Sequence, residues 1–230
     1  MKKYALHNSY FKVNRMYGLP DTISETAKYQ KEQGELPFRY DGNNWVYDSF
    51  TERQKYRGVY NSQFLTPDAT CKRLADYAGK YFTKNEVLEP CCGTGQITKE
   101  LIKDNYDVIA FDNDLELVGF CKSQHPDIDV FQSDFREVSF IANQIIANPP
   151  YEITELTDFL EWIDSVQDNG GISILLLPKG FIDKERPKRT SHALQKFEVL
   201  EREDMQEEFA RTKTRAEIVV LKKSQKLQTQ

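Results

Sequence analysis

The sequence has no long apolar run. None of its stretches approaches the roughly 18 consecutive apolar residues that a membrane-spanning helix needs. The first ten residues, MKKYALHNSY, carry no apolar stretch after the basic pair, so they do not match a secretion signal. We therefore expect a cytoplasmic protein without a membrane segment. At 230 residues, 39% apolar and 29% charged, the chain is long enough for one main folded domain.

Cysteine is scarce and is not arranged as metal-binding proteins arrange it. The four cysteines are Cys71, Cys91, Cys92 and Cys121, and they form no CxxC pair and no Cys/His cluster with zinc spacing. We predict reduced, packed thiols and no metal site. A catalytic cysteine is the alternative, but no partnered histidine lies near any of them in the sequence.

The net charge of −5 is unevenly distributed along the chain. Residues 1–57 carry ten Lys or Arg against seven Asp or Glu, and residues 183–230 carry twelve against nine, whereas the region between them is strongly acidic. Each flank could contact a polyanion, or these charges could simply form solvated surfaces.

Short aliphatic runs alternate with amphipathic stretches from residue 85 onward. This alternation predicts an α/β fold with a mostly parallel sheet and helices on both faces. The predicted strands are 86–89, 107–111, 128–131, 144–147 and 172–177, followed by two closing strands at 197–200 and 218–221. The stretch 153–166 places its apolar residues on one helical face. Seven strands are therefore expected.

The ends of the chain differ from this central pattern. Thr66 and Pro67 predict a helix start, with Thr66 as the cap and Pro67 in the first turn. Residues 1–57 are rich in Tyr, Asn, Gln and Lys and are expected to form an N-terminal extension or small subdomain. The main domain is then 58–223, and 224–230 is expected to be a flexible tail.

The stretch from Glu89 to Gly95 predicts a strand that runs into a glycine turn and a helix. Glycine is needed where the backbone turns sharply and a ligand approaches closely, although many such turns bind nothing. Asp112 follows Gly93 by 19 residues, the interval at which an acidic side chain meets a ribose in nucleotide-binding folds. Asp112 or Asp114 could instead cap the next helix. A third glycine is missing, which disfavours NAD.

Two further motifs follow later strands. Ser133-Asp134-Phe135 could bind an adenine through its carboxylate and ring, or could be a turn with a buried phenylalanine. Asn148-Pro149-Pro150-Tyr151 must leave the sheet as a stiff loop, because two prolines cannot continue a central strand. The Asn148 side-chain oxygen and the Pro149 carbonyl could accept both hydrogens of a planar amino group, and Tyr151 could stack on its ring.

Together these motifs resemble the S-adenosylmethionine-dependent adenine methyltransferases that act on DNA, with the glycine loop ahead of the tetrapeptide as in the gamma-type order. The resemblance covers about residues 60–223. It implies a Rossmann-like class I methyltransferase fold, S-adenosylmethionine as cofactor, and methyl transfer to the 6-amino group of adenine in duplex DNA with the target base flipped out.

The resemblance also implies residue roles. The catalytic residues it implies are Asn148, Pro149, Pro150 and Tyr151. The cofactor-binding residues it implies are Thr66, Pro67, Glu89, Pro90, Cys91, Gly93, Gly95, Asp112, Asn113, Asp134 and Phe135. The substrate-binding residues are expected to be Tyr151, Phe209, Lys179, Arg186, Arg189 and Arg211, although the basic residues could equally lie on a mobile surface loop.

The chain departs from that family because it ends shortly after the closing hairpin, where gamma-type enzymes continue into a target-recognition domain. Residues 1–57, a separate specificity subunit or a second copy of the chain could replace that domain, or the extension could only cover a sheet edge. Enzymes that methylate RNA amino groups, or glutamine in proteins, use the same tetrapeptide, so RNA is the nearest alternative substrate. Cofactor binding without catalysis is a further alternative.

Overall fold

The computed structural model describes residues 38–40, 45–47, 66–205 and 215–224. Within residues 66–224 these form a seven-stranded sheet with helices on both faces, so the predicted fold class is confirmed. No helix in the described part is long and apolar enough to cross a membrane.

Nine strands and five α-helices are formed by the described residues. The strands are β1 (Phe38–Tyr40), β2 (Trp45–Tyr47), β3 (Glu86–Pro90), β4 (Asp107–Asp112), β5 (Asp129–Gln132), β6 (Gln144–Ala147), β7 (Ile172–Pro178), β8 (Phe197–Asp204) and β9 (Ala216–Lys223). The helices are α1 (Asp68–Tyr81), α2 (Gln96–Lys103), α3 (Leu115–Gln124), α4 (Ile153–Val166) and α5 (Lys188–Leu194), and a short 3-10 helix covers Phe135–Glu137.

The strand order of the large sheet is β5-β4-β3-β6-β7-β9-β8. All neighbouring pairs are parallel except those of β9, which runs antiparallel to both β7 and β8. The chain builds one half of the sheet outward from β3 and the other outward from β6. The point where the order reverses therefore lies between β3 and β6, and open α/β sheets bind ligands at the carboxyl ends of the strands at such a point.

Alternation along the strands divides the core into two layers. Val87 and Ile146 face one cluster, which packs against α1, α2 and α3, while the adjacent Leu88 and Ile145 face a second cluster that packs against α4. Successive strand residues point to opposite faces, so strands covered on both sides are mostly apolar. The four residues of β6 are accordingly all buried.

Both ends of α4 are stabilised by side chains, one local and one distant in sequence. Glu152 caps α4 by accepting a hydrogen bond from the Glu155 backbone N–H at 3.0 Å. At the other end of α4, the Lys223 ammonium donates to the backbone carbonyls of Asp164 and Gln167. A cation at a helix carboxyl end also complements the helix dipole.

The structure corrects the predicted start of α1. Pro67 occupies the N-cap position, the helix begins at Asp68, and no side chain caps it. The Thr66 hydroxyl instead accepts a hydrogen bond from Asn148. The expectation that Thr66 caps the helix is therefore wrong.

The N-terminal extension predicted for residues 1–57 lies almost entirely outside the described residues. Within it, β1 and β2 pair as a two-stranded antiparallel sheet in which Phe38 opposes Tyr47. The tail expected at 224–230 also lies outside the described residues, except for Ser224.

Candidate active site

One cavity lies at the carboxyl ends of β3, β4, β5 and β6. It is lined by residues from the loops that follow these strands and from the starts of α1, α2, α3 and α4. The lining residues are Thr66, Glu89, Cys91, Cys92, Gly93, Thr94, Gln96, Ile97, Phe111, Asp112, Asn113, Leu117, Ser133, Phe135, Arg136, Asn148, Pro149, Pro150 and Glu155. Most of the residues predicted to bind the cofactor and the first three of the tetrapeptide therefore share one cavity.

The glycine loop is tightly wound. Cys91, Gly93 and Gly95 all have positive φ angles, of 58°, 55° and 80°. A Cβ at position 93 would meet nothing within 4 Å, whereas one at position 95 would lie 2.7 Å from the buried Cys121 sulfur. Gly93 therefore leaves space beside its backbone, and Gly95 allows the loop to pack against α3.

Glu89 is a buried carboxyl group at the end of β3. It is 1% exposed and accepts a hydrogen bond from the Thr98 hydroxyl. Desolvation raises the pKa of Glu89 to about 8; the Asp112 charge adds to this rise, and the Thr98 hydrogen bonds oppose it. The carboxyl group would ionise more readily beside a bound cation.

Asp112 holds the glycine loop through its carboxylate. Its two oxygens accept hydrogen bonds from the backbone N–H of Gly93 at 3.0 Å and of Asp114 at 2.9 Å. Asp114 accepts from the Leu117 N–H at 3.4 Å at the start of α3, so Asp114 fits the helix-capping role. Asp112 and Asn113 line the cavity, and their binding of a ribose stays a prediction.

Asp134 does not line the cavity, whereas Phe135 and Arg136 do. The Asp134 carboxylate accepts from the Arg136 backbone N–H at 2.9 Å and pairs with the Arg136 guanidinium at 3.1 Å. That guanidinium also lies 4.4 Å from the Phe135 ring centre. The buried Phe135 ring packs edge-on against Phe159 at 5.1 Å, so it belongs both to the core and to the cavity wall.

Asn148, Pro149 and Pro150 line the cavity directly after β6. The Asn148 side-chain N–H donates to the Thr66 hydroxyl at 3.0 Å. Proline at 149 restricts the Asn148 backbone to extended angles. The side-chain amide is therefore held both by its backbone and by a buried hydroxyl from the residue that precedes Pro67 and α1.

Tyr151 is placed differently from the rest of the tetrapeptide. It is half-buried, packs against the core cluster of α1 to α3 and does not line the cavity. Burial raises the pKa of the Tyr151 hydroxyl. Its stacking on a substrate base stays a prediction.

The basic residues expected to bind substrate are mostly paired within the protein. Lys179 forms an ion pair with Asp204, and Arg189 pairs with Asp158 at 2.6 Å and Glu161 at 2.5 Å. Arg186 donates to the Phe181 carbonyl at 3.0 Å and lies over its ring. Phe209 and Arg211 fall outside the described residues.

Several cavity residues were not predicted from the sequence; among the polar ones are Thr94, Arg136 and Glu155. Thr94 lies inside the glycine motif, and Arg136 directly follows Asp134-Phe135; only this adjacency could have indicated them. Glu155 comes from the first turn of α4, and no spacing rule connects it to the cavity. Pro67, Pro90 and Gly95, which were predicted to bind the cofactor, do not line it.

The lining fits a cationic sulfonium cofactor. The Thr94 hydroxyl is buried and, among the described residues, has no hydrogen-bond partner, so a ligand can supply one. Asp112 and Glu155 contribute acidic groups to the wall, and the Glu89 carboxyl group can ionise when a cation binds beside it. These groups favour a positively charged ligand, and the gap beside Gly93 admits a close approach to the backbone.

The sequence model of a family described as ribosomal RNA adenine dimethylase matches residues 53–209, which is more than half of the chain. Among individual proteins, ribosomal RNA small subunit methyltransferase A of Chlorobium chlorochromatii is 30% identical over 77 residues. That match covers 30% of this chain and 29% of the relative, so it spans less than a third of either.

Solved structures share the fold at low identity. A Listeria monocytogenes protein assigned to the class I S-adenosylmethionine-dependent methyltransferases superposes with a TM-score of 0.59 at 16% identity, covering 75% of this chain and 65% of its own. A Pyrococcus horikoshii protein assigned as an RNA methyltransferase gives 0.58 at 19% identity, with coverages of 73% and 87%. Magnesium protoporphyrin IX methyltransferase of Synechocystis, solved with the bound cofactor, gives 0.56 at 14% identity, with coverages of 76% and 92%.

These matches overturn the expected substrate. The resemblance to DNA adenine methyltransferases, the DNA (adenine-N6) activity and the duplex DNA partner are wrong, because the matched family acts on ribosomal RNA. The motifs indicate a cofactor and a planar amino nitrogen, and enzymes that methylate DNA and enzymes that methylate RNA have these two features in common. The alternative that named RNA is the better one, and the expectation of S-adenosylmethionine is confirmed.

Proposed function

Because the chain belongs to the ribosomal RNA adenine dimethylase family, we propose that it transfers methyl groups from S-adenosylmethionine to the 6-amino group of adenine in ribosomal RNA. It is an S-adenosylmethionine-dependent methyltransferase with a Rossmann-like fold. The observation that carries the proposal is that Asn148-Pro149-Pro150 and the glycine loop line one cavity inside the region that the family model matches.

The residues that we assign to cofactor binding have different chemical roles. Gly93 and Thr94 accommodate the ligand at the turn after β3, and Asp112 fixes that turn while its remaining lone pairs accept from a ribose hydroxyl. Phe135 supplies an apolar wall for the cofactor's adenine. When bound, the cofactor supplies a methyl group on an already reactive sulfonium, so the protein's main contribution is alignment.

Asn148 prepares the substrate nitrogen. The lone pair of an adenine amino group is delocalised into the ring and is a poor nucleophile. In this proposal the Asn148 side-chain oxygen and the Pro149 carbonyl accept the two amino hydrogens, which draws the nitrogen toward a tetrahedral, nucleophilic shape and stabilises the positive charge that develops on it. The carbon–sulfur bond breaks as the nitrogen–carbon bond forms, which leaves S-adenosylhomocysteine, and the methylated nitrogen then releases one proton to solvent. A single hydrogen remains, so a second transfer needs only one of these acceptors.

The test is methyl transfer from radiolabelled S-adenosylmethionine to unmodified ribosomal RNA and small ribosomal subunits, with duplex DNA and protein extract in parallel. Mass analysis of the nucleosides should find 6-methyladenine or 6,6-dimethyladenine in the RNA arm. Asn148→Ala should lower the rate of product formation by about a hundredfold to a thousandfold and should still bind S-adenosylhomocysteine. Label confined to DNA or protein, or an Asn148→Ala variant as active as the wild type, would refute the proposal.

A further inference from the structure

Thr66 and Asn148 are hydrogen-bonded neighbours in the cavity wall although 82 residues separate them in the sequence. Thr66 is 5% exposed and lies just before α1, and Asn148 lies just after β6. The Asn148 Nδ2 to Thr66 Oγ1 distance is 3.0 Å. This contact joins the amide of the catalytic tetrapeptide to a helix on one face of the sheet.

The position of Thr66 is itself fixed by the first turn of α1. Its backbone carbonyl accepts from the Cys71 thiol at 3.6 Å, and the Cys71 backbone N–H donates to the Pro67 carbonyl at 2.9 Å. Cys71 is 1% exposed and belongs to the core. The Thr66 hydroxyl is therefore a rigid partner.

The amide of Asn148 needs such a partner because its function depends on which end faces the substrate. The oxygen and nitrogen ends of an asparagine amide have nearly the same shape and opposite hydrogen-bonding character. With the backbone restricted by Pro149, the remaining freedom is rotation of the side chain. A hydrogen bond from Nδ2 directs the nitrogen end to Thr66, which turns the oxygen end away from it.

We propose that Thr66 is a positioning residue that orients the Asn148 amide for methyl transfer, rather than a residue whose main role is to bind the cofactor. This inference rests on the proposed function, since it assumes that Asn148 acts on an amino nitrogen. It replaces the cofactor-binding role that the sequence resemblance implied for Thr66.

The central experiment compares Thr66→Val, which is isosteric and lacks the hydroxyl, with Thr66→Ser, which keeps it. Thr66→Val should lower kcat by about tenfold, the effect of one misplaced hydrogen bond. The KM for S-adenosylmethionine and the Kd for S-adenosylhomocysteine should stay within twofold of wild type, and Thr66→Ser should restore most of kcat. Thr190→Val removes another buried hydroxyl contact, to Thr157 and away from the cavity, and should leave kcat unchanged.

A double-mutant cycle separates positioning from general structural damage. In an Asn148→Ala background, Thr66→Val should cause no further loss of residual activity, because the group it orients is gone. A raised Kd for S-adenosylhomocysteine with kcat unchanged would overturn the inference, as would additive losses in the cycle. A wild-type protein that does not methylate RNA would refute the proposed function instead, whereas an active wild type with an equally active Thr66→Val refutes only the positioning role.

Discussion

The guanidinium of Arg136, in the cavity wall, donates to the carboxylate of Asp158 on α4 at 2.8 Å while it also pairs with Asp134. It therefore ties the loop after β5 to the helix that follows the tetrapeptide. The paired arginines lower the pKa of Asp158 even though partial burial alone would raise it.

Removing this bridge should weaken cofactor binding. Arg136→Ala releases Asp134 and uncovers the Phe135 ring, and we expect the Kd for S-adenosylhomocysteine to rise about threefold to tenfold in calorimetric titration. Arg136→Lys keeps the charge but cannot bridge two carboxylates with a planar fork, so it should recover only part of the affinity. Arg73→Ala, which breaks an exposed pair with Glu203 on the outer strand, is the control. Equal affinities for all four proteins would contradict the prediction.

The raised pKa of Glu89 predicts how the stability of the cofactor-free protein changes with pH. Below about pH 4.5 the carboxyl group is protonated in both the folded and the unfolded chain, so its ionisation does not change the free energy of unfolding. As the pH rises toward the folded-state pKa of about 8, the unfolded chain releases this proton first, so the free energy of unfolding falls.

Glu89→Gln should remove that loss, because the amide stays neutral and its oxygen can still accept from Thr98. The Tm of Glu89→Gln should match that of wild type near pH 5 and exceed it near pH 8 in thermal melts without ligand. The exposed Glu198→Gln serves as the control and should show no such divergence. If the difference in Tm between wild type and Glu89→Gln is the same at pH 5 and at pH 8, the pKa of Glu89 is not raised in the folded protein.

The sequence predicted the central elements well and the charged ones poorly. The strand at residues 144–147 and the helix at 153–166 were predicted with the bounds observed, because nearly all of their apolar residues are buried in the core. The prediction for β8 stopped at residue 200, four residues short of its observed end. Its charged second half pairs with β9, and Glu201 and Glu203 bind α1 through Lys80 and Arg73. Pattern rules cannot detect such long-range pairs.

The same difference between local pattern and long-range contact decides which parts of the candidate site were found. The glycine loop, Asp112 and Asn148 follow strands at spacings that the fold imposes. Arg136, in the short 3-10 helix, and Glu155, in the first turn of α4, reach the cavity only because the fold brings these elements there. Neither group distinguishes DNA from RNA, since the residues of both line the cavity and not an outer surface where the backbone of a nucleic acid would bind.

The two loop glycines should respond differently to alanine. Gly93→Ala meets no neighbour and should cost only about 1 kcal/mol for its positive φ, while its added methyl group projects into open space beside the loop and should impair cofactor binding. Gly95→Ala adds a contact of 2.7 Å with the Cys121 sulfur, so we expect about 2–3 kcal/mol of destabilisation in urea unfolding.

The test for this contact is a second substitution. In a Cys121→Ala background the sulfur is absent and the His125 ring, 3.1 Å from the added Cβ, is the nearest remaining neighbour, so Gly95→Ala should cost clearly less than it does in the wild type. A cost of Gly95→Ala that is the same with and without the Cys121 sulfur would show that conflict with this sulfur is not its cause.

Unpaired lysines should contribute more to RNA binding than the paired cations. Lys184 and Lys188 are exposed, and the structure gives neither a carboxylate partner among the described residues, whereas Lys179 and Arg189 are neutralised by neighbours. Lys184→Gln combined with Lys188→Gln should raise the KM for ribosomal RNA by about threefold to tenfold and reduce the dependence of binding on salt. The matched double variant Lys179→Gln with Arg189→Gln should change the KM and the salt dependence less. A larger effect of this second double variant would show that the internal ion pairs open to bind the substrate.

Lys223 should be required for stability although it lies at the end of the last strand. It is 8% exposed, donates to the Asp164 and Gln167 carbonyls, and pairs with the Asp164 carboxylate at 3.2 Å. Lys223→Met keeps the apolar length of the side chain but leaves the carboxyl end of α4 without its cation. We expect a loss of about 2 kcal/mol in the free energy of unfolding.

The neighbouring Lys222→Met is the matched control, because Lys222 is exposed on the same strand and makes no such contact with the described part of the chain. It should change the free energy of unfolding by less than about 0.5 kcal/mol. Chemical denaturation of both variants at pH 7 measures the difference. Because Lys223 binds the carbonyls at the carboxyl end of α4, Lys223→Met should also accelerate hydrogen exchange of the amides in the last turn of α4. Equal stabilities of the two variants would mean that water replaces the lysine at no cost, and would remove the helix-capping role assigned to it.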